Sequence, residues 1–387
     1  MRTYLAPLSA GFVTVLVGFT SSAAIVFQAA AAAGATPAQI SSWMWALGLA
    51  MGVTCIGLSL RYRAPVVTAW STPGAALLVT ALAGVSMAQA TGAFIFCAVL
   101  ILLAGVTRGF ERVMDRIPPG IAAAMLAGVL VRFGMEVFVA MGQRFGLVLA
   151  MFVAYLLARR FQPRYAVVLV LALGSVIAAA QGLLNFDALR LEMAAPVFTM
   201  PEFDLRTTIG VGVPLFIVTM ASQNVPGVAV LRASGYGGVP VSPVIGWTGA
   251  VSLVLAPFGC YAINLAAITA AICMGREAHE EPAKRYLASV FAGVFYLLVG
   301  VFGATVGALF AAFPRELVLA IAGLALFGTI GGGLATAMKD EAQREPALIT
   351  FLVTASGLSL GGIGSAFWGV VAGANALAIL NWKKTSH

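Results

Sequence analysis

Long apolar stretches, about 15–25 residues each and separated by short charged loops, occupy nearly the whole chain, the pattern of a helical protein that crosses a bilayer many times. Two of them are interrupted. PVVTAWSTPG from Pro65 to Gly74 and MASQNVPG from Met220 to Gly227 each place polar residues and a proline–glycine pair inside apolar sequence. In hydrocarbon every backbone N–H and C=O must find a partner, so broken helices persist only when buried in protein or lining a cavity. Paired interruptions in two halves of a membrane protein point to a transport site near the midplane.

The apolar pattern divides into about fourteen segments: 8–30, 40–60, 64–82, 89–107, 117–138, 143–158, 165–184, 207–231, 241–256, 257–275, 286–311, 315–337, 347–360 and 361–381. Several are too short for a full membrane helix. With 61% hydrophobic and 9% charged residues, the composition leaves no room for a soluble domain. A net charge of +8 would suggest nucleic acid in a soluble protein, so the placement of the basic residues decides its meaning. With the N-terminus inside, only Arg144, Arg190, Arg206 and Arg315 fall outside and Arg132 within a span, while the other seventeen of the 22 lie on the inner side. The charge is a topology signal for a multi-pass membrane protein with both termini cytoplasmic, and nucleic acid is not an expected partner.

The longest polar stretch divides the chain into 1–184, a connector at 185–206, and 207–387. The run TSSAAIVFQAA from Thr20, followed by Pro37 and Trp43, has a weak counterpart in ASQNVPGVAVL from Ala221, followed by Pro240 and Trp247. Seven segments per half is odd, so the halves form an inverted repeat. The first apolar run lacks a cleavage site and leads directly into further spans, so it reads as retained. Cys55, Cys97, Cys260 and Cys273 lie in spans without metal-type spacing and read as small core residues. Gly328, Gly331, Gly332 and Gly333 read as helix-packing surfaces.

The third segment predicts an extended piece followed by a half-helix. Pro65–Trp70 is opened by proline and rich in β-branched residues; Ser71 or Thr72 then caps a helix with Pro73 in its first turn. A helix N-terminus near the membrane centre, with free N–H groups and positive dipole, attracts an anion. The tenth segment reads alike: Pro257, Gly259 and Tyr261 disfavour helix, Asn264 offers a polar group, and AAITAAIC from Ala266 resumes a helical pattern, so two half-helices converge. The competing reading is that Pro73 and Pro257 merely kink ordinary helices.

The stretches SSAAIVFQAA from Ser21, TAWSTPGAALLVT from Thr68, LFIVTMASQNVPG from Leu215, AAITAAIC from Ala266 and GIGSAFWG from Gly362 closely resemble the bacterial benzoate/proton symporter (BenE) family, over essentially the whole chain. The resemblance implies a fold similar to the UraA-like nucleobase carriers: an all-α polytopic membrane protein, seven-plus-seven inverted repeats divided into core and gate domains each formed from both repeats, short strands and half-helices in segments 3 and 10, and proton-coupled uptake of benzoate across a bacterial inner membrane. Where the nucleobase carriers grip their base with carboxylates in the eighth and tenth segments, this chain has Gln223, Asn224 and Asn264, which suits an anionic ligand.

An aromatic carboxylate needs donors for its charged end and an apolar slot for its ring. Thr68, Ser71, Thr72, Gln223, Asn224 and Asn264 supply the first; Phe27, Trp70 and Tyr261 supply the second. The bland alternative is that the Ser, Thr and Asn groups are interhelical glue and the aromatics are packing. For proton coupling, Glu136 is the acidic residue within a predicted span, with Arg132 one turn before it; the pair is a proton-carrier candidate or a structural ion pair. An intramembrane enzyme needs a nucleophile with a base, or a metal, in a watery pocket. Both histidines lie outside the spans, His279 among Glu277, Glu280 and Glu281 in a loop and His387 at the terminus, so neither catalysis, cofactor nor metal is expected. A channel, or a carrier for another small anion or a nucleobase, remains the alternative. A homodimer follows from the resemblance only.

Overall fold

The computed structural model describes residues 2–108, 118–161, 166–185, 191–275, 278–303, 305, 312–358, 360 and 365–381. Arg276, Glu277, the first three residues of GIGSAFWG and His387 lie outside them. The elements in chain order are α1 (Arg2–Ala32), α2 (Pro37–Tyr62), β1 (Thr68–Trp70), α3 (Thr72–Ala81), α4 (Met87–Val106), α5 (Pro119–Gln143), α6 (Phe145–Phe161), α7 (Ala166–Ala180), a long helical run α8 (205–233), α9 (Val241–Leu255), β2 (Ile263–Leu265), α10 (Ile268–Met274), α11 (Tyr286–Val301), α12 (Arg315–Ala337), α13 (Arg344–Ser356) and α14 (Ser365–Asn381). Among the described residues, six helices are long and apolar enough to cross a membrane.

Local chemistry sets the ends. Thr36 and Ser86 open α2 and α4 with reciprocal capping boxes to Gln39 and Gln89, which satisfy N–H groups that would otherwise be orphaned. Ser71 caps α3 by accepting from the N–H of Gly74, with Pro73 in the first turn, where its missing N–H costs nothing.

The interruption at 220–227 is not a break. The run 205–233 stays helical by alternating α turns with π-helical turns at Thr208–Gly212 and Met220–Asn224. Each π turn ends two residues before a proline, Pro214 and Pro226. A proline ring clashes with the carbonyl four residues back, and the wider π turn moves that carbonyl away, so the chain continues where a break was expected. In the second half the true break falls at 256–267, through a 3₁₀ turn at Ala256–Phe258, a left-handed Gly259 (φ 103°) and β2.

Among the described residues packing forms two main apolar clusters and a small third, which gathers Ala124 of α5, Ala337 of α12 and Ala347 of α13. The larger gathers α1–α4, α8–α11 and both strands; the smaller gathers α6, α7 and α12. Helix α5 serves both, giving Met125, Leu130 and Phe133 to the first and Val137 and Ala140 to the second. In the larger body α2 packs on α11 and α4 on α9; elsewhere α5 packs on α12 and α13, and α13 on α14. Glycines set how close these helices come: a Cβ on Gly48 would lie 2.5 Å from Cα of Gly300, and one on Gly249 2.5 Å from the nitrogen of Leu102. The expected glycine surface on α12 holds at Gly333, where a Cβ would meet the Ala123 carbonyl at 3.2 Å, but not at Gly331 and Gly332, which face open space.

Candidate functional site

The two broken segments meet at a two-stranded antiparallel sheet, in which Thr68 pairs with Leu265, Ala69 with Asn264 and Trp70 with Ile263. The pairing extends past both ends, since Ser71 donates its N–H to the Ala262 carbonyl (3.2 Å) and Ala266 to that of Val67 (2.9 Å). A two-stranded sheet leaves outward N–H groups on both edges, and buried ones must be satisfied. Here side chains do it. On β1, Thr68 N–H donates to Cys55 Sγ and Trp70 N–H to Met51 Sδ, each at 3.2 Å and both from α2. On β2, Ile263 N–H donates to Ser252 Oγ (3.1 Å, α9) and Leu265 N–H to Asn224 Oδ1 (2.9 Å, α8).

The crossing continues into the start of α3. Ser71 is wholly buried; its Oγ receives Thr219 Oγ1 (3.0 Å) and its carbonyl receives the Tyr261 hydroxyl (3.1 Å). Trp70 donates its indole N–H to Ser22 Oγ (2.8 Å) and packs on Phe19. Thr68 turns toward α2, with its hydroxyl 2.6 Å from that of Thr54. Asn224 also reaches Met220 Sδ with its amide N–H (3.1 Å).

Of the residues predicted from sequence, Thr68, Trp70, Ser71, Asn224 and Tyr261 therefore make bonds that hold the crossing together. Asn264 differs. Its side chain is wholly buried, yet neither Oδ1 nor Nδ2 has a hydrogen-bond partner. An unmet amide in a buried site costs about 1–3 kcal/mol, which marks a place that a polar guest would improve. Its strand partner Ala69 keeps some exposure, as do Thr72 at the first position of α3, Gln223 beside Asn224, and Phe27 on α1. Arg132 is exposed and Glu136 half-buried on α5, and no ion pair joins them. Ser22, Thr219 and Ser252, which the sequence did not single out, complete the assembly with Cys55, which it read only as a small core residue. Ser22 and Thr219 do lie inside two of the stretches that carry the family resemblance, SSAAIVFQAA and LFIVTMASQNVPG, but Ser252 and Cys55 look like any small residue in a span.

The sequence model of the family described as benzoate membrane transport protein (BenE) matches residues 2–379. The chain is 50% identical to "Inner membrane protein YdcO" of Escherichia coli over 98% of both chains. It is 43% identical to a "Benzoate membrane transport protein" of Acinetobacter baylyi, over 97% of this chain and 95% of that one. Among solved structures, the transmembrane domain of the cyanobacterial bicarbonate transporter BicA superposes with a TM-score of 0.57 at 14% identity, over 98% of this chain and 97% of that one. Murine Solute Carrier 26 family member A9, an anion transporter, gives 0.58 at 13% identity, over 100% and 70% of the two chains. The structural likeness shows a shared transporter fold; the sequence likeness is far closer and spans nearly every element described above. By that likeness the chain belongs to the BenE family of benzoate membrane transport proteins, which are membrane transporters and not enzymes.

Proposed function

We propose that this protein takes up benzoate or a related aromatic carboxylate together with a proton, as a secondary active transporter working by alternating access, with its site between the broken third and tenth segments. The observation that carries the reading is the unpartnered amide of Asn264 beside the capped N-terminus of α3. A carboxylate there accepts from the Asn264 amide, from Gln223 and from the hydroxyl and N–H of Thr72, at the positive end of the helix dipole; Pro73 has no N–H, and those of Gly74 and Ala75 are taken by Ser71. Phe27 and Trp70 offer the ring an apolar wall. Thr68, Ser71, Asn224 and Tyr261 hold the strands and cap in shape around it.

Fourteen segments in a seven-plus-seven inverted repeat, with cytoplasmic termini in a bacterial inner membrane, complete the proposal. The body around the crossing is the core, and α5–α7 with α12–α14 form the gate. Glu136, with Arg132 one turn away, is the proton-carrier candidate on α5; otherwise the proton enters with the substrate as the neutral acid. The chain works as a homodimer or as a single copy. A second reading, transport of a small inorganic anion, is favoured by the fold shared with transporters named for bicarbonate and anions.

The test is uptake of labelled benzoate into proteoliposomes with and without an inward proton gradient, with nucleobases and inorganic anions as competitors. Saturable accumulation that collapses with the gradient is the expected result. Benzoate flux indifferent to the gradient would remove the coupling, and uptake of another anion in its place would overturn the substrate.

A further inference from the structure

Between α7 and α8 the chain runs from 191 to 204 without helix or strand. It is nonetheless held along its length. The N–H of Glu192 donates to Thr305 Oγ1 (3.0 Å), Ala194 to the Val301 carbonyl (2.7 Å), Val197 to Ser42 Oγ (2.9 Å), Thr199 to the Pro257 carbonyl (2.8 Å) and Glu202 to the Ala88 carbonyl (2.9 Å). These anchors lie at or beyond the end of α11, near the start of α2, just past α9 and at the start of α4. With the orientation read from the basic residues, all are outer ends. The segment is a strap stitched to the outer rim of the larger body.

Its side chains face the wrong way for water. Leu191, Met193, Phe198, Met200, Phe203 and Leu205 are 59–79% exposed, whereas Ala194, Val197, Thr199 and Pro201 face the protein more closely. A strap bordering solvent would bury its large apolar groups and expose the small and polar ones. This one turns its backbone donors to the protein, as a chain must when nothing on its other side can bond them. The exposed row continues that of the spans beneath it: Val254 and Leu298, 70% and 50% exposed, lie three residues before the anchors Pro257 and Val301. Phe198 packs on Phe258, which packs on Trp45, an aromatic cluster of the kind found where a membrane meets water. Exposed Glu192, Glu202 and Arg206 keep the strap from going deep.

We propose that residues 191–205 form an interfacial strap whose apolar side chains enter the outer lipid leaflet at the headgroup–acyl boundary, so that its occupant is lipid rather than water or a second copy of the chain. This does not depend on the substrate.

The test uses the full-length protein in phosphatidylethanolamine–phosphatidylglycerol vesicles, with Met200→Cys or Phe203→Cys carrying a nitroxide; the native thiols Cys55, Cys97, Cys260 and Cys273 are all buried and do not compete for label. Expected is relaxation by oxygen several-fold above relaxation by a water-soluble nickel chelate at both positions, with Thr199→Cys shielded from both. Stronger relaxation by nickel at both positions would put the strap in water and overturn the proposal. Shielding from both reagents, with dipolar broadening between labels, would overturn it in favour of a contact between copies. Two positions are used so that failure of one variant to fold leaves the other to decide.

Discussion

Replacing Asn264 by alanine separates a group that binds from one that packs. Its amide is buried without a partner in the unliganded protein, so removing it relieves an unmet desolvation cost of about 1–3 kcal/mol. Losing the side-chain carbon costs about 0.8 kcal/mol of packing. The unliganded variant is therefore expected to be about as stable as the parent, or slightly more so. Binding responds in the opposite sense. A hydrogen bond to a carboxylate contributes about 1.5–3 kcal/mol, so its loss weakens benzoate affinity roughly 10- to 150-fold. At a benzoate concentration of about 100 times the parent's Kd, ligand stabilises the parent by about 2.7 kcal/mol and the variant by about 1.4 kcal/mol or less. Thermal unfolding in nanodiscs, followed by the fluorescence of the six tryptophans with and without benzoate, reads both quantities at once. A variant that unfolds well before the parent without ligand, yet keeps the full benzoate shift, would refute the reasoning, because the amide would then be structural and not aimed at substrate.

Two other substitutions probe the frame rather than the ligand. Asn224→Ala strands the buried Leu265 N–H and should destabilise the protein by about 1–3 kcal/mol with or without benzoate; denaturation of the variant in nanodiscs checks it, and an unchanged midpoint would mean the β2 edge finds another acceptor. At the start of α8, the N–H of Thr207, followed by its hydroxyl, holds the Asp204 carboxyl below its ordinary value, so its contribution is present above the usual carboxylate range and is lost as pH falls through the lower folded value. Asp204→Ala should accordingly lower the unfolding temperature at neutral pH, by a margin that shrinks in acid; a margin constant with pH would show that the charge plays no part.

The parts of this architecture that depend on neighbouring residues could be read from the chain alone. Pro65, the β-branched run and the Ser71–Thr72–Pro73 sequence specify an extended piece and a capped half-helix by local sterics, and β1 and α3 lie where those rules put them. Pro226 misled, because a proline rules out a regular turn but does not say whether the chain breaks or widens, and that choice is made by the helices packed around α8. The tenth segment resumes helix at Ile268 rather than Ala266, since Ala266 N–H is drawn back to Val67. The pairing of Ala69 with Asn264 joins residues far apart in sequence, and no periodicity encodes which short strand meets which. For the same reason the duties of Ser252 and Cys55 were invisible: an acceptor for a strand edge is defined by what lies opposite it. The sequence did name Asn264, but only the three-dimensional packing separates it from Asn224, which is equally buried but has a partner at both Oδ1 and Nδ2.

The clasping of both strand edges by side chains has a consequence for energy flow during a transport cycle. Pulling the strands away from α2, α8 and α9 would break the four edge bonds to Cys55, Met51, Ser252 and Asn224, at about 1–3 kcal/mol for each buried N–H left unmet, a sum comparable to the entire stability of a folded domain. The low-cost motion carries the clasped strands and their helices as one rigid piece. Under the mechanism proposed above, substrate would then ride between compartments in a pocket of constant shape, its intrinsic affinity the same on either face of the membrane, and the steady accumulation would be set by the driving gradient rather than by a difference between a tight and a loose site.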